Sequence, residues 1–174
     1  MALPVRQRLA DDHHAVNVVL EQLLTALANK DVRTSYSKLD LLWARLAVHI
    51  RAEHLHLFPA IAPRVSEAQP VIDRLREDHD FFMRELGQAI AVLRDLPKNL
   101  VSVSDEQELA AVRDAILDIE KRLVTHNEIE ENQIYQWSST ILSEAEQLEL
   151  RARVNAELEH RPPRFSAEAW ANSL

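Results

Sequence analysis

The sequence predicts an all-α protein, an up-down-up-down bundle of four long helices followed by a fifth, C-terminal helix. Three observations lead to this fold class. The 174 residues include a single glycine, which disfavours a turn-rich β fold. Prolines and Ser/Asp positions divide the chain into long stretches rather than short ones. Within these stretches apolar residues recur at heptad spacing, which is typical of helices that pack side by side.

Five helices follow from this punctuation, and they run approximately over residues 5–30, 35–60, 70–96, 105–137 and 143–160. Pro4 precedes the first helix, where its missing N–H costs nothing. Ser143 opens the fifth, and Glu146 follows three residues later at the spacing of a capping box. Long helices of similar length joined by short connections pack as antiparallel neighbours.

We expect a single domain over residues 1–160, with the bundle at 5–138 and the extra helix at about 143–160. Residues 161–174 are expected to form a loose tail, in which Phe165 and Trp170 are the candidates to dock on the bundle.

Each of the first four helices carries a histidine on its inward face. The inward positions are Leu9, His13, Val16, Leu20, Leu23 and Leu27 on the first helix, Leu39, Leu42, Leu46, His49, Glu53 and His56 on the second, Ile72, Leu75, His79, Phe82, Leu86 and Leu93 on the third, and Val112, Ile116, Ile119, Leu123, His126, Glu130 and Trp137 on the fourth. The second and fourth faces thus add a glutamate four residues after the histidine.

A weak internal repeat relates the two halves of the chain. The matching motifs are Leu9-x-x-Asp12-His13 with Leu75-x-x-Asp78-His79, and His49-x-x-x-Glu53 with His126-x-x-x-Glu130. Each half therefore supplies one helix with a histidine and one helix with a His-x-x-x-Glu motif.

These residues predict a metal site. One inward histidine is usually an ordinary core residue, but four at one depth together with two carboxylates require compensation, because an unpaired buried carboxylate costs several kcal/mol. The inward register contains no Lys or Arg to neutralise them, so a cation is the simplest solution. Residues four apart share a helical face, so each His-x-x-x-Glu can reach one centre. Four nitrogens and two carboxylates suit two metals bridged by both glutamates, with iron favoured and manganese or zinc as competitors.

The ordered set His, His-x-x-x-Glu, His, His-x-x-x-Glu on four long helices resembles the hemerythrin-like, or HHE cation-binding, domain. The local contexts Asp12-His13, Asp78-His79 and Leu57-Phe58-Pro59 are similar to that family as well. The resemblance implies a non-haem di-iron centre. The positions that match the family's ligands are His13, His49, Glu53, His79, His126 and Glu130.

The resemblance leaves several functions open. Members of the family bind O2 reversibly, sense O2 or iron, respond to nitric oxide, or repair damaged iron centres. One alternative for this chain is a carrier, store or sensor of O2, peroxide or nitric oxide. A second is an enzyme, such as a catalase-like protein, an oxidase, a nitric oxide reductase or an iron-centre repair protein. The others are an iron- or oxygen-responsive interaction module and a structural bundle with zinc or no metal. Met83 stands where oxygen carriers have a fifth histidine, and we expect it to face the metals without binding.

The remaining polar and aromatic candidates have less definite roles. We interpret His14 and His160 as surface residues, and His54 as solvated or in contact with a ligand residue. His56 is either a polar residue near the bundle end or a further ligand. Packing is the expected role of the larger aromatic residues, which are Trp43, Tyr135 and Trp137.

Composition excludes other classes of protein. A formal net charge of −8 argues against nucleic acid or an anionic membrane as the partner. The absence of cysteine excludes disulfides, iron–sulfur clusters and thiolate zinc sites, and one glycine excludes a Rossmann fingerprint and a P-loop. We find no targeting segment or long apolar run, so we expect a cytoplasmic protein without a membrane span, whose oligomeric state stays open.

Overall fold

The computed structural model describes residues 4–171, which form eight α-helices and two π-helical turns without any β-strand. The α-helices are α1 (Val5–Ala28), α2 (Val32–Ala52), α3 (Phe58–Ile61), α4 (Ala68–Asp95), α5 (Val103–Ile129), α6 (Tyr135–Ile141), α7 (Glu144–Leu158) and α8 (Ala167–Ala171). The π turns are Glu53–Leu57 and Glu130–Ile134. The predicted all-α fold class is confirmed.

The two π turns lie inside segments that the sequence predicts as continuous helices. The first joins α2 to α3, and the second joins α5 to α6, with helical backbone on both sides. A π turn contains one more residue than an α turn, so it changes which later residues share a face with the preceding helix.

Helix ends follow local capping chemistry. α2 begins at Val32, three residues before the predicted start, because the Asp31 side chain accepts a hydrogen bond from the Thr34 N–H at 2.9 Å. Ser102 and Asp105 form a capping box before α5. The capping box predicted for Ser143 and Glu146 is confirmed at the start of α7.

Four long helices make the bundle, in which α1 packs on α2, α2 on α4, α4 on α5, and α5 on α1. One apolar cluster is built from residues 16–27, 32–50, 82–96 and 109–123 of these helices. A second cluster is built from residues 5–9, 52–61, 68–75 and 134–142 together with α7. Late parts of α1 and α4 thus meet early parts of α2 and α5, as an up-down-up-down bundle requires. Between the two clusters lies a thin polar layer.

The C-terminal segment packs against the bundle. α7 contacts α2 and α1. Trp170 is 4 % exposed within the first apolar cluster, Phe165 packs there as well, and the Arg45 guanidinium lies 4.8 Å from the centroid of the Trp170 ring. The described part of the expected loose tail is therefore docked. Residues 1–3 of the expected domain and 172–174 of the expected tail lie outside the described residues.

None of the helices in residues 4–171 combines the length and the apolarity that a membrane span requires.

Candidate metal centre

The polar layer contains all six side chains that the sequence singled out. The four histidines are between 2 % and 6 % exposed, and the two glutamates are 0 % exposed. They are His13 of α1, His49 of α2, Glu53 and Glu130 at the first residues of the two π turns, His79 of α4 and His126 of α5. The bundle therefore brings together one group from every long helix.

The first half of the layer is formed by His13 and His49, whose Nε2 atoms lie 3.2 Å apart. Glu130 Oε2 lies 3.1 Å from His13 Nε2, and Glu53 Oε1 lies 3.5 Å from His49 Nε2. The ligand atoms of His13, His49 and Glu130 all lie within 4.8 Å of one another, and Glu53 adds an oxygen next to His49.

The second half has the same composition. The Nε2 atoms of His79 and His126 lie 3.1 Å apart. Glu130 Oε1 lies 3.1 Å from His126 Nε2, and Glu53 Oε2 lies 3.4 Å from His79 Nε2. Each glutamate therefore extends one oxygen toward each histidine pair, which is the arrangement of a bridging carboxylate.

Carboxylates fix the orientation of three of the imidazole rings from outside. Asp12 Oδ2 lies 2.9 Å from His49 Nδ1, and Asp78 Oδ2 lies 3.2 Å from His126 Nδ1. Glu131 Oε1 likewise lies 2.9 Å from the Nδ1 of the α1 histidine. Because a carboxylate only accepts, each Nδ1 carries a proton and donates it outward, so the neutral form of each ring directs its Nε2 lone pair toward the centre of the layer.

His79 has a neutral partner instead of a carboxylate. Its Nδ1 lies 2.9 Å from His54 Nε2, and His54 is half-buried. Burial and the neighbouring His79 lower the pKa of His54, which favours a neutral His54 whose ring nitrogen accepts the proton of His79 Nδ1. His54 therefore contacts a predicted ligand residue, one of the two roles expected for it.

Two arginines complete the outer contacts, and one of them corrects the sequence interpretation. Arg45 is wholly buried and forms an ion pair with Asp12, although the inward register showed no basic residue in the core. Arg122 pairs with Asp78 at 2.6 Å from a side chain that is 42 % exposed. Neither arginine is paired with Glu53 or Glu130 in the described structure, so these two buried carboxylates have no arginine or lysine partner there.

Without a bound cation, imidazole protons are the positive charges of the layer. Burial alone would lower the pKa of His126, but the charge of Glu130 and the hydrogen bond to Asp78 raise it to about 9. Burial likewise opposes the charged form of His49, yet Glu53 and Asp12 raise its pKa well above the ordinary value. The same pairing with His126 holds the pKa of Glu130 well below its ordinary value despite burial.

The donor atoms fit a pair of cations. Two ligand atoms about 2.1 Å from one cation and at a right angle to each other are about 3 Å apart, and the closest donor pairs here are 3.1–3.6 Å apart. In addition, Glu53 Oε2 and Glu130 Oε1 accept no hydrogen bond from the described residues although both are buried. Buried oxygens of this kind require a partner, and a cation between the histidines would supply it.

Tyr135 is the residue of the layer that the sequence interpretation missed. Its hydroxyl donates to Glu53 Oε1 at 2.9 Å and lies 3.0 Å from His13 Nε2 and 3.3 Å from Glu130 Oε2. Burial and the charges of Glu130 and Glu53 raise the pKa of Tyr135 well above its ordinary value, so the phenol is protonated when no cation is bound. The internal repeat contained a signal, because an aromatic residue follows each glutamate by five positions.

The other candidates lie away from the donor atoms. His14 and His160 are exposed. His56 Nε2 lies 3.7 Å from Glu157 Oε1 of α7, a contact outside the layer. Met83 is half-buried and packs against the first apolar cluster, and its expected orientation toward the metals stays a prediction. Trp43 and Trp137 are half-buried and pack against the first and second clusters respectively.

The fold and this layer define a helical-bundle protein that binds cations through histidine and glutamate side chains. A family model described as the hemerythrin HHE cation binding domain matches residues 5–138, so the chain belongs to this family and the resemblance noted in its sequence is confirmed. No match was found among curated proteins or among solved structures.

Proposed function

We propose that the layer holds two iron ions, one between His13 and His49 and the other between His79 and His126, with Glu53 and Glu130 as bridging ligands. The observation that supports this proposal most directly is the bridging arrangement, in which each carboxylate offers one oxygen to each histidine pair. A mixture of imidazole and carboxylate donors suits iron, with manganese and zinc as competitors.

We further propose that the centre binds O2 or a related small ligand, such as peroxide or nitric oxide. Bound ferrous iron supplies the electrons that such ligands accept. The protein's own contribution is to position the imidazole ligands and to shield the centre from water. The outward hydrogen bonds of the four imidazoles hold their Nε2 lone pairs toward the layer, and the two apolar clusters keep water away from both sides of it.

Metal binding is tested by anaerobic reconstitution of the full chain with ferrous iron, followed by elemental analysis. We expect about two irons per chain, and a loss of at least half of this iron in His13→Ala or His126→Ala. His14→Ala is the matched control, because this neighbouring histidine is exposed and should leave the iron content unchanged. A single zinc with one glutamate unliganded would overturn the proposal.

A di-iron enzyme would use the same residues as a ligand-binding protein. Spectra and turnover of the reconstituted protein therefore distinguish an enzyme from a protein that only binds the ligand. A reversible oxygenated absorption band on adding O2 indicates binding, as in a carrier, store or sensor. Rapid oxygen evolution from peroxide, or consumption of nitric oxide, indicates an enzyme. Unchanged spectra with all three ligands would contradict small-ligand binding and favour an iron-responsive interaction module.

A further inference from the structure

The two halves of the centre match position by position. The matched motifs are Arg45-x-x-x-His49-x-x-x-Glu53 and Arg122-x-x-x-His126-x-x-x-Glu130. A π turn begins at each of the two glutamates, and an aromatic residue stands five positions after it, Phe58 in the first half and Tyr135 in the second. The sequence thus builds the same backbone and the same histidine and glutamate arrangement twice. The halves differ at this aromatic residue and at the residue after each glutamate, which is His54 in the first half and Glu131 in the second.

The two aromatic rings occupy equivalent places. The Phe58 ring is nearly parallel to the His79 ring, with centroids 6.2 Å apart and planes inclined by 12°. The Tyr135 ring lies similarly on the His13 ring, at 5.6 Å and 28°. The hydroxyl of Tyr135 is therefore a chemical difference between two corresponding positions.

That hydroxyl lies among donor atoms of one half only. Its distances to His13 Nε2, Glu53 Oε1 and Glu130 Oε2 are between 2.9 and 3.3 Å. Distances of this size are those expected between neighbouring ligands of one cation, about 3 Å. On the other side, Glu53 Oε2 and Glu130 Oε1 accept no hydrogen bond from the described residues, and the equivalent aromatic ring carries no oxygen.

We propose that Tyr135 is a further metal ligand, which binds the cation between His13 and His49 through its phenol oxygen. This inference rests on the proposed function. On binding, the O–H bond breaks, the electron pair stays on the oxygen and forms the bond to the cation, and the proton leaves to solvent. A surface cavity of about 220 Å³ lies beside this half of the layer and is lined in part by Tyr135 and Glu131.

The consequence is a division of roles between the two positions. The position of His13 and His49 has five protein ligands, namely two imidazoles, two carboxylate oxygens and the phenolate. The position of His79 and His126 has four, and Phe58 covers it without adding a donor. The small ligand therefore binds at the second position, where more coordination sites are open.

The test uses the full chain reconstituted with iron and oxidised to the ferric form, with iron content and visible spectrum measured on the same sample. A phenolate bound to ferric iron gives a charge-transfer band, and Raman excitation within the band enhances the ring modes of that tyrosine. We expect this band in the wild type and its loss in Tyr135→Phe, with about two irons retained in both. Tyr36→Phe is the matched control, since the chain has two tyrosines and Tyr36 is exposed.

The exchange variant Tyr135→Phe with Phe58→Tyr moves the hydroxyl to the other half. We expect it to regain the band, now from a phenolate at the position of His79 and His126, with about two irons retained. A two-iron ferric protein without the band, or a band that persists in Tyr135→Phe, would overturn the inference and leave Tyr135 as a hydrogen-bond donor to Glu53. Iron content near zero in the wild type would instead refute the proposed function itself.

Discussion

Removing the cations should make the stability of the protein depend on pH between about 6.5 and 9. Without a cation, Glu130 and Asp78 raise the pKa of His126 from 6.5 to about 9 against the opposing effect of burial. A histidine whose pKa is higher in the folded state than in the unfolded state stabilises the fold most at low pH. That contribution is complete below pH 6.5 and is lost as the pH rises through about 9.

The magnitude follows from the size of this pKa change. At about 1.4 kcal/mol per pH unit, His126 alone contributes ~3 kcal/mol. Solvent screening is small because His126 is only 3 % exposed. The pKa values of His13 and His49 are also raised, so these residues add to the effect in the same direction. For a chain of this length, 1 kcal/mol corresponds to roughly 2–4 °C in Tm, so the expected change is about 6–12 °C or more.

The assay is thermal unfolding of the metal-free chain, followed by circular dichroism at constant ionic strength, at about pH 6 and about pH 9.5. We expect Tm to fall by the stated amount across this interval. The metal-loaded protein should change less, since bound cations replace the imidazolium charges. In the metal-free His126→Gln variant the dependence should weaken, whereas His14→Gln should retain it because His14 is exposed. A constant Tm of the metal-free protein, or an unchanged dependence in His126→Gln, would refute the reasoning.

Two matched pairs of substitutions test the outer contacts. Asp78→Asn should weaken metal binding by roughly 10–100-fold, because the Asp78 carboxylate orients His126. Asp80→Asn is the control and should leave metal affinity unchanged, because Asp80 is exposed. Both affinities are measured by competition with a chelator, and equal affinities of the two variants would contradict this role of Asp78. Arg45→Met should lower the free energy of unfolding by about 3–5 kcal/mol in urea denaturation, because the buried Asp12 carboxylate loses its guanidinium partner and keeps the contact to His49. Arg122→Met should lower the free energy of unfolding by less than about 1 kcal/mol, because this arginine is 42 % exposed. Equal losses in the two variants would show that burial does not determine the strength of these ion pairs.

The six predicted ligand residues could be found from the sequence because they obey one rule throughout. From His49 to Glu53 and from His126 to Glu130 the spacing is one α-helical turn, and the backbone up to each glutamate is α-helical. Apolar residues occupy the same helix face before and after these ligand residues. The polar residues that interrupt this apolar face can therefore be identified from the heptad spacing.

The outer contacts could not be found in this way because they lie beside the register. Asp12 and Asp78 each precede an inward histidine by one residue, which points them toward the neighbouring helix rather than toward the bundle axis. There each carboxylate accepts a hydrogen bond from a histidine of the next helix. The arginine four residues before that histidine, Arg45 or Arg122, forms an ion pair with the same carboxylate. Such contacts depend on how two helices are rotated relative to each other, which a single-helix pattern does not contain.

The π turns explain both why Tyr135 was missed and why its place matters. In an α-helix, a residue five positions after another lies about 140° further around the axis, which excludes Tyr135 from the face of Glu130. The wider π turn that begins at Glu130 removes most of this difference, and the hydroxyl lies 3.3 Å from the Glu130 carboxylate. The π turn at Glu53 does the same for Phe58. Each half thus directs the residue five positions after its glutamate toward the opposite half. In the proposed two-iron centre, the phenol oxygen of Tyr135 would therefore make the two cation positions chemically different.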